Sequence, residues 1–248
     1  MRKAFTLAMG LALAAAAWGA ADSFVRGSVV LNFVMPQMEM PRADNWAKNI
    51  DFGEKVAGHT GELGDLGAGW GYGLGYGVSL GQYFRFDGGV SSIRKENKVT
   101  YVGMDPDTNV GYNRELNFTT HIVPVRFDGT FVAPGFLNDR FKPEFGLGVV
   151  TYIVDYNTDQ TITLMPPGEP ADVTNGQAWA RDVCFGPEAK AGLGITLLDS
   201  LVLDLAATYF TGEITFDGWT RYGDSPINGP DREDLTGWAV WVGPRYYF

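Results

Sequence analysis

The two histidines of this 248-residue chain are its most versatile candidates for chemistry at neutral pH. His59 lies in a glycine-containing stretch, and His121 follows two threonines. Ser91 and Ser92 are hydroxyl residues that could approach the same rim as His121, and a hydroxyl needs a positioned base before it attacks an ester. Nothing in the sequence places either serine within hydrogen-bond reach of a histidine. No catalytic residue is therefore predicted, and a His-dependent enzyme is kept as an alternative.

Two acidic segments have the spacing of oxygen ligands. Asp105 and Asp107 form one pair, and Asp155 and Asp159 belong to the other, as in calcium loops. The turn-making glycine and the distal glutamate of an EF-hand are not at their positions. Such segments are typical of polar hairpin tips. Calcium binding at either segment is left open, and we predict no metal site and no cofactor.

The element that would position such side chains is clearest between Trp70 and Leu80. Large apolar residues occupy every even position there, and glycine or serine occupies every odd position between them. Successive side chains of a β-strand point to opposite faces, so all the large groups lie on one face. The segment ending at Phe248 alternates in the same way. Both segments predict strands of a barrel whose outer face meets lipid.

The first 21 residues have the composition of a secretory signal peptide. Arg2 and Lys3 precede an apolar, alanine-rich stretch that ends in small residues near Ala21. The single cysteine, Cys184, excludes an internal disulfide, and a formal net charge of -10 argues against nucleic acid as a partner. We expect a signal peptide at 1–21 and one barrel domain at 22–248.

Eight alternating segments are long enough to cross a membrane as tilted strands. Long connections alternate strictly with short ones, as they do in outer-membrane barrels. The sequence therefore predicts an all-β fold, a single eight-stranded antiparallel transmembrane up-and-down β-barrel. The long extracellular loops are expected near 35–67, 95–115, 155–178 and 216–235. The predicted strands are Phe24 to Val34, Ala68 to Leu80, Tyr83 to Arg94, Leu116 to Val132, Phe141 to Val154, Trp179 to Thr196, Leu201 to Thr215 and Thr236 to Phe248.

The two faces of these strands differ in charge. One face is apolar, and the other carries charged residues among glycine, serine, threonine and alanine. A soluble barrel with an apolar lumen would have the opposite arrangement, so the charged face is expected to line the lumen. Opposite charges are tolerated there when they are paired and hydrogen-bonded. The predicted lumen ion-pair network is Arg26, Arg85, Asp87, Arg126, Asp128, Lys142, Glu144, Glu188, Lys190, Asp204 and Arg245.

The chain resembles the small eight-stranded outer-membrane barrels of the OmpA, OmpW and opacity-protein kind. The most specific element is the last strand, which in that superfamily ends in an aromatic residue preceded by alternating apolar positions. The resemblance implies that the barrel-assembly machinery reads this strand. Pro244 departs from the pattern and suggests a bulge or a locally weak seam, because proline removes one ladder donor. The expected C-terminal assembly signal is Trp238, Val240, Val242, Tyr246 and Phe248.

These observations predict a monomeric, non-enzymatic protein of a Gram-negative-type outer membrane with a structural or cell-surface role. Its expected partners are outer-membrane lipid, lipopolysaccharide and the barrel-assembly machinery. One alternative is a narrow OmpW-like channel for small or hydrophobic solutes. A second alternative is a lipid A-modifying barrel enzyme that uses His121.

Overall fold

The chain forms a barrel of antiparallel strands with a helix at the end opposite the short turns. The structure is a computed structural model, and it describes residues 25–64, 69–105 and 108–248. The predicted signal peptide, and the predicted strand starts at Phe24 and Ala68, lie outside these residues. The barrel strands are β1 (Val25–Glu39), β2 (Trp70–Leu80), β3 (Phe84–Met104), β4 (Gly111–Val132), β5 (Phe141–Met165), β6 (Asp172–Leu198), β7 (Leu201–Phe210) and β11 (Thr236–Tyr247). The remaining elements are α1 (Pro41–Val56), β8 (Glu213–Thr215), β9 (Thr220–Gly223) and β10 (Arg232–Asp234).

The eight barrel strands close into a ring. Each pairs antiparallel with its neighbours in chain order, β7 pairs with β11, and β11 pairs with β1. The predicted fold class, an eight-stranded up-and-down barrel, is confirmed. None of the helices in the described ranges is long and apolar enough to cross a membrane.

Strands β3 to β6 extend well beyond the predicted ends. β3 continues from Arg94 to Met104, and β5 continues from Val154 to Met165, where the sequence predicted loops. The segments 95–115 and 155–178 are therefore mostly paired strand, which corrects the expectation of long loops there. The reason is a change of polarity, because most outward residues of these extensions are polar, whereas their inward residues include buried apolar groups such as Val99, Tyr101 and Tyr156. That is the pattern of a soluble barrel, and a search for strands with an apolar outer face does not detect it.

Two chemically different interiors are stacked in one barrel. The lower part, next to the short turns, has charged inward residues, whereas the upper part has a buried apolar core. The expectation of a polar lumen therefore holds only for the lower part. The core includes Tyr101, Leu116, Phe118, Ile122, Val154, Tyr156, Phe210, Ile214, Phe216 and Leu235.

Helix α1 lies on this core. Pro41 occupies the first turn, where its missing N–H costs no helical hydrogen bond. Ala43 and Ala47 are buried against the core, and Trp46 packs on Phe118 with ring centroids 5.0 Å apart. The helix thus covers the apolar core at the end of the barrel opposite the short turns.

The fourth long connection also folds onto the core. β8 and β10 pair as a two-stranded antiparallel sheet, and β9 adds to the upper edge of β6. Ile214 and Leu235 are fully buried. The predicted seventh strand ends earlier than expected, at Phe210, because residues 213–215 pair with β10 in this separate sheet.

Candidate functional site

The outer wall of the lower barrel is apolar and exposed. Leu147 is 74% exposed, Phe127 62% and Phe185 76%. Large apolar side chains cost about 1.5–3 kcal/mol each when left in water, so a continuous band of them requires lipid. The chain is an eight-stranded transmembrane β-barrel. Aromatic residues flank the band, with Tyr83, Phe131 and Tyr246 at the short-turn end and Trp70, Trp179 and Trp238 at the other.

Arg85 is the centre of the lumen site. Its side chain is 1% exposed, and both of its Nη atoms donate to Glu144, at 2.9 and 2.6 Å. Its Nε donates to Asp87 at 2.8 Å. Such bidentate, charge-assisted bonds satisfy a buried guanidinium. Arg85 is therefore fixed between strands β3 and β5.

Two further cations complete the network around Asp87. Lys190 Nζ lies 3.1 Å from both Asp87 and Asp128. Arg245 Nη1 lies 2.8 Å from Asp87, and its Nε lies 2.6 Å from Asp204. The network thus links β3, β4, β5, β6, β7 and β11 across the lumen.

Arg126 forms the upper edge of this layer. Its Nη1 donates to Glu188 at 3.3 Å, and its guanidinium carbon lies 3.5 Å from the centroid of the Trp241 ring. Trp241 donates to Thr208 at 2.8 Å. The ionic layer is thereby joined directly to the apolar core above it.

Nine of the eleven residues predicted for the network are brought together in these contacts, and two are not. Arg26 is exposed, and its guanidinium lies 5.7 Å from the centroid of the Tyr247 ring. Lys142 is half-buried at the short-turn end and forms no ion pair with any described residue. Both stand at strand positions close to a short turn, below the layer formed by the other nine residues.

The glycine stripe of β2 makes room for the network. A Cβ at Gly77 would lie 2.5 Å from Asp87 Oδ1 and 2.7 Å from Arg245 Nη1. A Cβ at Gly75 would lie 2.7 Å from Val30. The bare face of β2 is thus filled by side chains of other strands. A cavity of about 30 Å³ next to Asp87, Glu144 and Trp241 has room for only a water or two.

Glu233 joins the fourth connection to helix α1. Its two carboxylate oxygens accept hydrogen bonds from the backbone N–H groups of Arg42, at 3.1 Å, and Ala43, at 2.6 Å. The first N–H groups of a helix have no intrahelical partner, so a carboxylate stabilises them. Burial raises the pKa of the Glu233 carboxyl, although these hydrogen bonds act in the opposite direction. Sequence analysis missed this role, because Glu233 stands in an acidic run typical of solvated loops.

The far end of α1 is held by polar contacts as well. Glu54 accepts from His59 Nδ1 at 2.7 Å and also pairs with Arg114. Asp51 accepts from the backbone of Leu63, at 2.9 Å, and from the Tyr101 hydroxyl. The candidate histidine His59 is therefore part of a structural contact between α1 and the barrel wall.

The other histidine lies on the outer wall, at the upper edge of the apolar band. The Ser92 hydroxyl lies 2.9 Å from His121 Nε2, and His121 Nδ1 lies 3.5 Å from Asp155 Oδ2. Arg181 holds the same carboxylate with two donors, one of them at 3.0 Å from Oδ2. Strand pairing has thus brought a serine within reach of a histidine, which the sequence could not place.

Of the two candidate calcium segments, the first has Asp105 in the turn between β3 and β4, where its carboxylate accepts from the backbone of Thr108 at 3.2 Å, and the second is occupied by other contacts. Asp155 is bound by Arg181 and His121, and Asp159 accepts from Asn157 at 2.8 Å. Both aspartates lie within strand β5 and not at a hairpin tip, which corrects that expectation. Asp107 lies outside the described residues. Across the described ranges, no three His, Cys, Asp or Glu side chains form a group that could hold a metal ion.

The barrel closes at the seam between β1 and β11. Pairing is interrupted opposite Pro244, but the register is the same on both sides of the gap, at Val30↔Arg245 and Phe33↔Val242. The seam is therefore interrupted without a bulge. Phe248 donates its backbone N–H to Gly27 at 3.0 Å and places its ring over that glycine.

Comparisons with known proteins give structural similarities alone. No protein-family model matches the sequence, and no curated protein matches it. The outer membrane protein OprG from Pseudomonas aeruginosa is 12% identical, with 90% of this chain and 96% of that chain covered and a TM-score of 0.46. The outer membrane protein AlkL is 12% identical, with 90% of each chain covered and a TM-score of 0.41. Ail of Yersinia pestis is 11% identical, with 90% and 98% covered and a TM-score of 0.38. The barrel assignment rests on the chain's own strand pairing and exposed apolar band.

Proposed function

We propose that this protein is a non-conducting surface barrel of a Gram-negative-type outer membrane. Its role is to anchor a rigid, capped β-structure outside the lipid. The observation that supports this most directly is the double closure of the lumen, by an ionic layer below and an apolar core above. We propose no catalytic role for the lumen or for the cap.

The ionic layer argues against a conducting path. The contacts of Arg85 with Glu144, and of Lys190 and Arg245 with Asp87, join β3 to β5, β6 and β11 across the lumen. Opening a passage would separate buried ion pairs, and removing one partner of such a pair costs about 3–5 kcal/mol. The OmpW-like channel alternative would also require displacement of the apolar core above this layer.

The length of the strands supports a role outside the membrane. β5 has 25 residues, and at about 3.3 Å per residue such a strand is roughly 80 Å long. An apolar band in these barrels is only about 25 Å tall. Of the 25 residues of β5, the 11 from Asp155 to Met165 lie above the apolar band, where most outward side chains are polar and suited to contact with other molecules.

The partners we propose follow from the outer wall. Arg94 and Arg181 are exposed on the outer wall, in the first polar row above the apolar band. Cations at that depth favour contact with the phosphates of lipopolysaccharide. The last strand and Phe248 are proposed to be read by the barrel-assembly machinery, and the protein is proposed to act as a monomer.

Single-channel recording in planar bilayers tests the closed lumen. The purified barrel is expected to give no reproducible unitary steps across 100 mV. A matched double variant, Arg126→Ala with Trp241→Ala, removes the junction between the ionic layer and the core and serves as the opened control. Reproducible steps from the unmodified protein that disappear in a Gly75→Val variant would instead favour the channel.

A further inference from the structure

On the outer wall a serine contacts a histidine, and the histidine contacts an aspartate. The Ser92 hydroxyl is 2.9 Å from His121 Nε2, and the opposite ring nitrogen is 3.5 Å from Asp155. A nucleophile next to a base that is itself oriented by a carboxylate is the arrangement that activates a hydroxyl, and apo structures often show it slightly loosened. The order of contacts, and not the residue types alone, makes this a candidate site.

Strand register explains why these three side chains meet. His121 pairs with Arg94 on β3 and with Asp155 on β5, and Asp155 pairs with Arg181 on β6. All four side chains therefore lie on one face and in one row across the wall. Ser92 is two residues below Arg94 on the same face, so it reaches His121 diagonally.

The backbone beside Ser92 is also irregular. The β3–β4 ladder is regular up to Val90↔Val125 and resumes at Ile93↔Ile122, with Ser91 and Ser92 unpaired on this side. Pro124 stands opposite this gap and has no N–H to donate. Ser92 therefore stands beside the one interruption of the described β3–β4 ladder.

The three side chains lie at the boundary between the apolar and the polar part of the outer wall, which indicates the kind of substrate that fits. Ser92 lies in the row of Tyr72, which is 66% exposed and pairs with it, whereas His121 lies in the first polar row above. Arg94 and Arg181 lie in that polar row, one on each side of the pair formed by His121 and Asp155. An acyl ester at the head–tail junction of a phosphate-bearing lipid would place its chain on the apolar wall, its carbonyl near Ser92 and its phosphate near the arginines.

We propose that Ser92, His121 and Asp155 form a catalytic triad that hydrolyses acyl esters of phosphate-bearing lipids in the outer leaflet. This activity lies beyond the closed-barrel function and does not depend on it. It also departs from the non-enzymatic protein expected from the sequence, because the triad is assembled by strand pairing.

The reaction needs only water as co-reactant. Ser92 Oγ attacks the ester carbonyl while His121 Nε2 takes the hydroxyl proton, and the ester C–O bond breaks as His121 returns that proton to the lipid alkoxide. Water then attacks the acyl-serine, His121 takes its proton, and the proton is delivered to Ser92 Oγ. The products are a fatty acid and a lipid alcohol, and Asp155 stabilises the charged histidine in both steps.

The test uses the full barrel in vesicles of two compositions. One contains phosphatidylglycerol and the other contains purified lipid A, and released fatty acid is measured by mass spectrometry. A fluorophosphonate probe reports covalent labelling of Ser92 independently of the lipid. Ser92→Ala and His121→Ala are expected to lower the rate of fatty-acid release by about 1,000-fold or more and to abolish labelling. Asp155→Asn is expected to lower the rate of release by a smaller factor.

Thr151→Ala is the matched control, because Thr151 is an outward hydroxyl on β5 that pairs with Val125 and Phe185. It is expected to leave both readouts unchanged. Release from one vesicle type only identifies the lipid source. Absence of both release and labelling in the folded wild-type barrel would overturn the proposal, as would equal release by Ser92→Ala. Neither result would affect the closed lumen, which the bilayer recordings test separately.

Discussion

At the scale of single residues, the lumen is organised by shared partners. Asp87 accepts hydrogen bonds from Arg85, Lys190 and Arg245, so one carboxylate partly neutralises the positive charge of three side chains. Buried charges arranged in this way are costly to separate, although they do not by themselves guarantee high stability. The network therefore acts as a rigid layer whose members depend on each other.

Replacing Arg85 tests that dependence. Arg85→Leu leaves Glu144 and Asp87 buried without their main donor, and we expect the free energy of unfolding to fall by about 3–5 kcal/mol. Urea unfolding in lipid vesicles, followed by tryptophan fluorescence, measures the change. Arg26→Leu is the control, since Arg26 is exposed and should change stability by less than about 0.5 kcal/mol. Equal effects of the two variants would contradict the buried network.

At the scale of elements, α1 is attached to the barrel by a carboxylate from a different connection. Glu233 is fully buried and uses both oxygens on the first free N–H groups of the helix. A glutamine at this position has one acceptor oxygen and one amide that cannot accept. The attachment of α1 is therefore sensitive to a change that conserves size.

Glu233→Gln is expected to leave one helix N–H unsatisfied and to weaken the attachment of α1 by about 1–3 kcal/mol. Hydrogen exchange of the α1 amides measures this loss. Glu213→Gln on the paired strand β8 is the control, because Glu213 is half-exposed and binds Arg232 at the surface. Unchanged protection in Glu233→Gln would show that the carboxylate does not hold the helix.

The closing seam is the second element that sequence changes can test. A Cβ at Gly243 would lie 1.6 Å from the backbone oxygen of Leu31. Gly243→Ala is therefore expected to push β11 away from β1 and to lower stability by about 1–3 kcal/mol. Gly129→Ala is the control, because the nearest atom to its Cβ would be 3.7 Å away, on Phe86. A stable Gly243→Ala barrel would mean that the seam is not closely packed.

At the scale of the whole molecule, polarity reverses partway along the strands. Below the row of His121 and Asp155 the wall is apolar and the lumen is charged, whereas above it the wall is mostly polar and the interior contains the apolar core. Surrounding lipid accounts for the apolar wall of the lower half, and surrounding water accounts for the polar wall of the upper half. One continuous sheet thus satisfies two solvents, and the triad lies at the boundary between them.

Assembly of the whole barrel depends on its last residue. Deletion of Phe248 removes the bond to Gly27 and the ring above it, and we expect less folded barrel in the membrane. The folded protein should also change its electrophoretic mobility on boiling in detergent, which provides the assay. Phe86→Ala, an exposed aromatic on the lipid-facing wall, should assemble normally. A Phe248 deletion that assembles as well as the wild type would contradict the assembly signal.

The sequence by itself determined the membrane half of this protein. Alternation such as that of Trp70 to Leu80 is local, and it specifies a strand, its two faces and the solvent of each. Most of the inward charges were predictable for the same reason, because their face is fixed by parity. The extended ends of β3 to β6 were missed, since their alternation has the opposite polarity and resembles a loop.

Only the tertiary structure decided which side chains meet. Glu233 and Ala43 are 190 positions apart, and Ser92 and His121 are 29 apart on neighbouring strands. Their contacts depend on register and on closure of the ring, where a shift of one residue would turn each side chain to the other face. Local pattern cannot specify register, so the attachment of α1 and the triad on the outer wall emerge only when the barrel closes.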